Sequence, residues 1–423
     1  EPAETGEPLG EPAEASGGEP PEVDEPLVDP AEASGGDRPA PTLLVNASPV
    51  AQQGVAAGAV AAGAPAARSA TAVDDGFVLA SEALSVRIDG SGHVVGAVDL
   101  TSGRDAIAEG ERGNLLQLHQ DFPNLWDAWD VDAAYRQMRV DLDAADEVLL
   151  DSEVVVVRRS FGASSVEQRL YLAPDGRSLL IDNTVDWHER EKFLKLAFPI
   201  DVFTDTAVAE TQFGFHARTT HDNTSWENAR FETHAQRWFL VQEPGFGVAF
   251  ANDSSYGFDV TRRRRGSTLV QDVRFSMLRA PRFPDPRTDL GVQRMRFAIA
   301  VGADEARSTE LGWALNVPAR AAGGRALEAL VSSSDPRVLI SAVKLADDRS
   351  GDLVVRVYES TGGRAASEIR VALPVSAVSA ADLLERPGEP LGHCPTDDGA
   401  TIPLTLRPFQ VQTLRITCGE RST

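Results

Sequence analysis

The feature that most constrains the fold is a repeated pattern of short alternating segments that end at turns containing glycine or proline. Residues 84–88 (LSVRI) alternate apolar and polar side chains, meet DGSG, and are followed by HVVGAVDL. Residues 166–172 (VEQRLYL) alternate in the same way, stop at APDG (173–176), and are followed by SLLIDNTVDW. Alternation places apolar side chains on one face of a strand, and Gly and Pro supply the turn dihedrals. The pattern therefore predicts antiparallel hairpins.

The same pattern returns near the C-terminus, in VLISAVKL (338–345), DLVVRVYES (352–360), EIRVALPV, and FQVQTLRI (409–416). No segment shows helical periodicity of useful length. Many short strands with turns of this kind are typical of antiparallel sandwiches. We therefore expect a mainly β chain, in which a large antiparallel β-sandwich is followed by a smaller β-sandwich module.

Composition suggests where the domains begin and end. With 423 residues the chain exceeds the usual size of one domain. We expect a strand at 42–49 and a long loop in the small-residue segment 55–72, whereas ARAAGGRA (319–326) would separate two β regions. These features predict a linker at 1–40, a large β-sandwich at 41–318, and a smaller β module at 319–423.

The N-terminal segment 1–40 carries twelve acidic residues against one basic residue, out of a net charge of −24 for the chain. It also contains a repeat, because EPLGEPAEASGG (7–18) returns as EPLVDPAEASGG (25–36). Almost no large apolar side chain is present to offset the entropy of ordering it. The segment is predicted to be a disordered, extended linker, and an acidic docking tail is the alternative.

Charge and cysteine content limit the partners and the compartment. A net charge of −24 argues against nucleic acid and anionic membranes, since both are polyanions. Neither an export signal nor a run of 18 apolar residues is visible, so we expect a cytoplasmic protein whose first residue, Glu1, lies inside a longer or processed product. Cys394 and Cys418 are expected to be reduced thiols, and one disulfide between them is the alternative.

A first group of candidate functional residues consists of Trp126, Asp127, Trp129 and Asp130, which form the pattern W-D-x-W-D. Two carboxylates beside aromatic rings suit a glycosidase, because an acid and a base or nucleophile act next to a ring that stacks on the sugar. The alternative is a loop whose indoles are buried against the sandwich while the carboxylates cap backbone amides.

A second group lies in residues 213–239, where we select His221, Asn223, Trp226 and Arg230 as candidate sugar-binding residues. Amide, imidazole and guanidinium groups can hydrogen-bond to sugar hydroxyls, and an indole can stack on the ring. A purely structural network is the alternative.

That structural network would pair Arg230 with Glu232, or Arg218 with Glu227. The spacing of the histidines does not match a zinc site, so no metal ligand is assigned. No catalytic residue is assigned either, since the chain lacks a G-x-S-x-G elbow, a P-loop and H-E-x-x-H. The arginine run 262–265 predicts a solvated hairpin tip.

Several motifs occur in an order that resembles a known family. They are NLLQLHQDFPNLWDAWDV (114–131), VDWHER (185–190), FGFHARTTHDNTSWENARFETHAQRWF (213–239), GFGVAFANDSSYGFDV (245–260) and FSMLRAPRFPDPRTDLG (275–291). The chain resembles the post-catalytic β-region of the α-mannosidases of glycoside hydrolase family 38 over roughly 42–417. It departs from the family pattern at Glu227, at ARTT (217–220) and at Ser254-Ser255.

The resemblance implies an activity in which terminal α-mannosidic bonds are hydrolysed with retention, by an aspartate nucleophile and a zinc ion. In the family these groups belong to an N-terminal β/α barrel and a helical bundle, and no segment here resembles either part. The chain itself would need no cofactor. It would brace a missing catalytic barrel and helical bundle, on the same or a separate polypeptide, and contribute to subsites for an α-mannoside or another saccharide. The alternative is a stand-alone carbohydrate-binding or scaffold β-module without catalysis.

Overall fold

Two antiparallel sheets that share one apolar core form the larger part of the structure. A computed structural model of the protein describes residues 43–266 and 268–419. The larger sheet has nine strands, in the order Glu147–Asp151, Val154–Phe161, Ser164–Leu172, Ser178–Trp187, Gly291–Val301, Phe246–Asn252, Trp238–Glu243, Thr206–Thr211 and Gly214–Thr219. The facing sheet has six strands, in the order Thr233–His234, Gly257–Arg265, Thr268–Arg279, Lys192–Ile200, Leu115–Gln120 and Arg139–Asp141.

A five-stranded sheet adds side chains to the same core, among them Leu79, Val86 and Ile88. Its strands are Arg68–Val73, Gly76–Ser81, Leu84–Asp89, Val94–Asp99 and Arg104–Asp105. The predicted hairpin across DGSG is present, with Val86 opposite Ala97. The second predicted hairpin is present as well, with Leu172 opposite Leu179.

The C-terminal part builds a second, separate core from two further sheets. One has four strands, Val331–Ser333, Ala365–Val371, Gly399–Leu406 and Cys394–Thr396. The other has five, Val338–Leu345, Leu353–Glu359, Val411–Cys418, Val375–Ala381 and Pro387–Pro390. The predicted mainly β fold with antiparallel sheets is confirmed. The linker predicted at 1–40 lies outside the described residues, and the boundary at 318/319 stays a prediction.

Two segments predicted as connections contain strands. Leu43–Val45 pairs with Val60–Ala62 on one side and with Arg320–Ala322 on the other, in a three-stranded sheet. The predicted loop at 55–72 therefore holds Val60–Ala62 and the start of Arg68–Val73, and the predicted separator 319–326 holds Arg320–Ala322. The predicted strand at 42–49 shrinks to three residues. The backbone groups of alanine-rich segments can pair in a sheet, although their small side chains give no apolar alternation in the sequence.

A twelve-residue helix, Glu305–Asn316, was missed by the sequence analysis. It begins at Asp304, whose side chain accepts a hydrogen bond from the amide of Arg307, and it packs on the outer face of the nine-stranded sheet. Its buried positions include Ser308, Thr309 and Gly312 beside two leucines, so the buried stripe is not apolar enough to show a helical period. Shorter helical turns occupy Ala133–Gln137 and Ser225–Asn228.

Candidate functional site

The loop that carries Trp126 to Asp130 follows strand Leu115–Gln120 and is held by one of its carboxylates. Oδ2 of Asp127 accepts hydrogen bonds from the backbone amides of Arg282 at 2.6 Å and Phe283 at 3.0 Å. The guanidinium of Arg279 donates to the carbonyl oxygen of Asp127 at 3.1 Å. The carboxylate of Asp130 caps only the amide of the next residue. Both carboxylates therefore cap amides, as the structural alternative predicts.

The two indoles of this loop are not buried, contrary to that alternative. Trp126 is 69% exposed and Trp129 is 65% exposed. The ring of Trp129 meets the ring of Phe283 edge to face, with centroids 6.4 Å apart. Phe122 and Leu125 are exposed beside them in sequence. We call this set of side chains the aromatic patch: Phe122, Leu125, Trp126, Trp129 and Phe283.

The second group of candidates lies around the helical turn Ser225–Asn228. Thr224 caps this turn, and Glu227 closes a capping box by accepting from the amide of Thr224 at 2.9 Å. Glu227 also lies 3.2 Å from Nδ1 of His221. The predicted pair of Arg218 with Glu227 is therefore wrong, because the carboxylate serves the turn and the histidine. Trp226, at 76% exposed, and Asn223 lie on the surface.

The predicted pair of Arg230 with Glu232 is also wrong. Glu232 instead accepts from Nζ of Lys195 at 2.5 Å. The same ammonium donates to Asp259 at 2.6 Å and to the hydroxyl of Ser276 at 3.1 Å. This lysine is fully buried in a strand whose other residues are mostly apolar.

Further hydrogen bonds complete this cluster. The hydroxyl of Tyr135 donates to Glu232, and Arg274 donates through Nε to Asp259 at 2.9 Å. We call these six side chains the buried ion cluster: Tyr135, Lys195, Glu232, Asp259, Arg274 and Ser276. It lies on the outer face of the six-stranded sheet, under the turn Ala133–Gln137, and joins that turn to residues 231–232. The cluster was not predicted, although a lysine inside the apolar segment FLKLAFPI is a signal for it.

Burial and pairing shift the ionisation of this cluster in opposite directions. Burial raises the pKa of Asp259, but Lys195 and Arg274 outweigh it and hold that pKa below its ordinary value. Burial would lower the pKa of Lys195, but the two carboxylates raise it. Burial raises the pKa of Glu232 in spite of Lys195. Because the charges are matched and enclosed, the cluster is a structural support for the surrounding loops.

The two groups of candidate residues lie far apart. Arg279, at one end of strand Thr268–Arg279, contacts the loop of Asp127. Leu269, near the other end of that strand, lines a groove together with His221 and Arg230. Ten residues of strand separate these points, which corresponds to about 33 Å. None of Trp126, Asp127, Trp129 and Asp130 lines this groove, so the structure does not place the two groups of predicted site residues in one cavity.

No group in the described residues fits a metal ion, since nowhere in 43–266 and 268–419 do three His, Cys, Asp or Glu side chains come together as ligands. The zinc implied by the resemblance therefore has no site among these side chains. Cys394 and Cys418 are free and exposed. Within the same residues, no helix is long and apolar enough to span a membrane.

Most of the described residues match one known family. Residues 79–287 match the model of the glycosyl hydrolases family 38 C-terminal domain, and residues 337–414 match that of the glycosyl hydrolases family 38 C-terminal beta sandwich domain. This chain belongs to glycoside hydrolase family 38. The first match contains the aromatic patch, the buried ion cluster and the groove. The second contains most of the core of the C-terminal sheets.

Individual relatives of this family 38 chain agree with that assignment. Alpha-mannosidase 2C1 of Homo sapiens is 35% identical over 364 residues, which are 81% of this chain and 34% of the relative. Alpha-mannosidase of Saccharomyces cerevisiae is 28% identical over 392 residues, which are 82% of this chain and 35% of the relative. The chain thus spans about a third of the length of these relatives.

A solved structure of the family shows the same fold. The crystal structure of an alpha-mannosidase from Enterococcus faecalis V583 superposes with a TM-score of 0.62 at 15% identity, and the match covers 83% of this chain and 43% of that one.

Proposed function

We propose that this family 38 chain is the C-terminal β-region of an α-mannosidase-like glycoside hydrolase, which braces a catalytic domain and contributes to its sugar subsites. The observation that carries the proposal is the pair of family matches, in order, at 79–287 and 337–414. The relatives are named alpha-mannosidases and are about three times as long as the matched region. The activity proposed for the intact enzyme is the hydrolysis of terminal α-mannosidic bonds.

The aromatic patch is the surface that we assign to bracing. Its side chains are between 56% and 69% exposed, although large apolar groups gain from burial. Contiguous exposed apolar groups mark interaction surfaces in soluble proteins. Asp127 fixes the loop to the backbone of residues 282–283, so the patch is presented in one conformation. A catalytic domain seated here would cover it.

The same rings support a role in a sugar subsite. Indoles stack on the apolar faces of sugars, and Trp126 and Trp129 present theirs within four residues of each other. His221, Asn223, Trp226 and Arg230, the candidates at the distant groove, would serve a remote sugar unit.

The catalytic groups of the intact enzyme would lie outside the described residues. Retention, the aspartate nucleophile and the zinc ion are proposed for the catalytic domain, since no group described here fits the metal. We propose a cytoplasmic location and a role in mannose metabolism. The free, exposed thiols of Cys394 and Cys418 support a reducing compartment.

A chimera tests this proposal. Residues 43–419 replace the matching region of the Saccharomyces relative, and hydrolysis of p-nitrophenyl α-mannoside is measured. We expect activity in the chimera and its loss when Trp126→Ala and Trp129→Ala are combined. Phe203→Ala, which removes an equally exposed ring away from the patch, is the control and should keep the activity. A folded but inactive chimera, or an active double variant, would contradict the proposal.

A second candidate function is a stand-alone carbohydrate-binding module, and the exposed indoles favour it. Calorimetric titration of the chain with mannose separates the two candidates. Saturable binding, lost in the Trp126→Ala, Trp129→Ala variant, together with an inactive chimera would favour the module. Absence of binding by the chain alone with an active chimera would favour the bracing role.

A further inference from the structure

A groove of about 390 Å³ opens between strand Gly257–Arg265 and the segment 219–231. Volumes of this order are typical of small-molecule sites. It adjoins a smaller pocket between strand Gly214–Thr219 and Phe258, with which it shares Thr219, Thr220 and Arg230. Arginines dominate the charged lining of the two cavities: Arg136, Arg218, Arg230, Arg262 and Arg264.

Alternation along strand Gly257–Arg265 explains why part of its arginine run faces this groove. Arg263 pairs with Asp272 at 2.9 Å and with Glu111 at 3.1 Å, and Arg265 lies 3.4 Å from the same Glu111. Residues at odd and even positions of a strand point to opposite faces. The other two, Arg262 and Arg264, therefore line the groove, and neither has a carboxylate partner in the described part of the chain.

The remaining arginines of the two cavities also have unused donors. Among residues 43–266 and 268–419, neither Arg218 nor Arg230 forms an ion pair. Nε of Arg218 and Nε of Arg136 are buried without an acceptor. Burial, and then the charge of Arg230, lower the pKa of Arg218, so the two guanidinium groups repel each other. Buried donors without acceptors are costly, and a bound acceptor would relieve that cost.

The carboxylates of the two cavities neutralise only part of these charges. Asp259 is paired with Lys195 and Arg274 in the buried ion cluster, and it also lies 3.8 Å from Arg136. Glu227 accepts from the amide of Thr224 and lies 3.2 Å from Nδ1 of His221. Asp222 remains, exposed at the rim. In a chain with a net charge of −24, this groove is a local concentration of unpaired positive charge.

We propose that the groove is a binding site for an oxyanion carried by a polyhydroxylated molecule, namely the phosphate monoester of a sugar. Planar guanidinium groups match the oxygens of phosphate with paired hydrogen bonds. The hydroxyls of Thr219 and Thr220 and the amide of Asn228 lie in the same lining and suit sugar hydroxyls. This site lies at the opposite end of strand Thr268–Arg279 from the aromatic patch. The proposal adds a phosphate to the remote sugar unit assigned to the groove above, and its sugar part rests on the proposed function.

Calorimetry on the whole chain tests the proposal with three probes: inorganic phosphate, mannose 6-phosphate and mannose. We expect both phosphates to bind, the sugar phosphate more tightly, and mannose to give no signal at this site. Combining Arg230→Gln with Arg262→Gln should weaken phosphate binding by roughly tenfold or more, since two charged contacts are lost. Arg263→Gln, on the other face of the same strand, should change it by less than about twofold.

Thermal melting with and without phosphate keeps the comparison independent of the stability of each variant. The wild type and Arg263→Gln should gain thermal stability from phosphate, and the double variant should gain none. Absence of phosphate binding by the wild type would overturn the proposal. Equal binding by the double variant would do the same. Binding of a polyglutamate peptide without binding of phosphate would replace it with docking of an acidic segment.

Discussion

Oδ2 of Asp127 lies 3.0 Å from the backbone nitrogen of Phe283, although 156 positions separate the two residues in the sequence. The same oxygen accepts from the amide of Arg282, so one side chain joins two loops. Asp127→Ala would leave both amides without this acceptor and would release the loop that presents Trp126 and Trp129. The carboxylate is therefore a positioning group for the aromatic patch.

We expect Asp127→Ala to lower the free energy of unfolding by about 1–3 kcal/mol, because two hydrogen bonds to a charged acceptor are lost. Urea unfolding measures this change, and limited proteolysis should show faster cleavage within 121–131. Asp130→Ala is the matched control, since that exposed carboxylate caps only the next amide. The two variants losing equal stability would contradict the assigned role.

Lys195→Met should be among the most destabilising single changes in the large sandwich. It would leave Asp259 buried with Arg274 and would remove the ammonium from Glu232, and breaking a buried pair from one side costs about 3–5 kcal/mol. Chemical unfolding of Lys192→Met, at the start of the same strand, provides the control. A loss below about 1 kcal/mol for Lys195→Met would show that the cluster contributes little to the stability of the native state.

The pH dependence of stability should report on His119, which is buried beside Tyr135. Burial lowers the pKa of His119 to about 4, from the ordinary value of 6.5. The unfolded chain therefore binds a proton at a higher pH than the folded chain does. Stability should fall as the pH decreases from 6.5 towards 4, by up to about 3 kcal/mol from this group.

Unfolding is measured between pH 7 and pH 5, above the main range of carboxylate titration, and the difference between the wild type and His119→Gln isolates the effect. His119→Gln should flatten the slope. His93, whose pKa burial also lowers, should contribute a slope of the same sign that remains in the variant. An unchanged slope in His119→Gln would contradict the assignment.

Much of the fold could be predicted because apolar and polar residues alternate along an amphipathic strand, and this alternation shows which face is buried. Ser164–Leu172 alternates buried and partly exposed positions, and its hairpin with Ser178–Trp187 follows the predicted turn. Leu43–Val45 and its alanine-rich partners bury too little apolar surface to show such an alternation. The pairing of Leu43–Val45 with Arg320–Ala322 joins residues more than 270 positions apart, which local patterns do not show.

Less of the candidate site could be predicted, because its partners are set by tertiary structure. Arg230 and Glu232 are neighbours in sequence, yet the glutamate turns to Lys195 on another strand. The exposure of Trp126 and Trp129 also depends on the fold, since composition alone favours burial of indoles. The sequence singled out the two candidate loops, but it did not determine which charges meet.

In the helix Glu305–Asn316, which was not predicted from the sequence, helix propensity and packing should change the stability in opposite directions when a glycine is replaced by alanine. In an exposed helix, Gly→Ala stabilises by about 1 kcal/mol. At Gly312, however, an added Cβ would lie 2.8 Å from Cδ1 of Trp238 and 3.1 Å from Cβ of Arg237. Trp238 is fully buried among the strands of the nine-stranded sheet, so its ring has no room to move.

We therefore expect Gly312→Ala to lower the free energy of unfolding by about 1–3 kcal/mol, as overpacking does. Gly323→Ala is the control, since its added Cβ would meet no atom within 4 Å. Urea denaturation of both variants gives the comparison, and a stabilised Gly312→Ala protein would mean that the helix can move away from the sheet. Because Gly312 allows the helix to approach the sheet closely beside Trp238, the sign of this one change tests how tightly the two layers are joined.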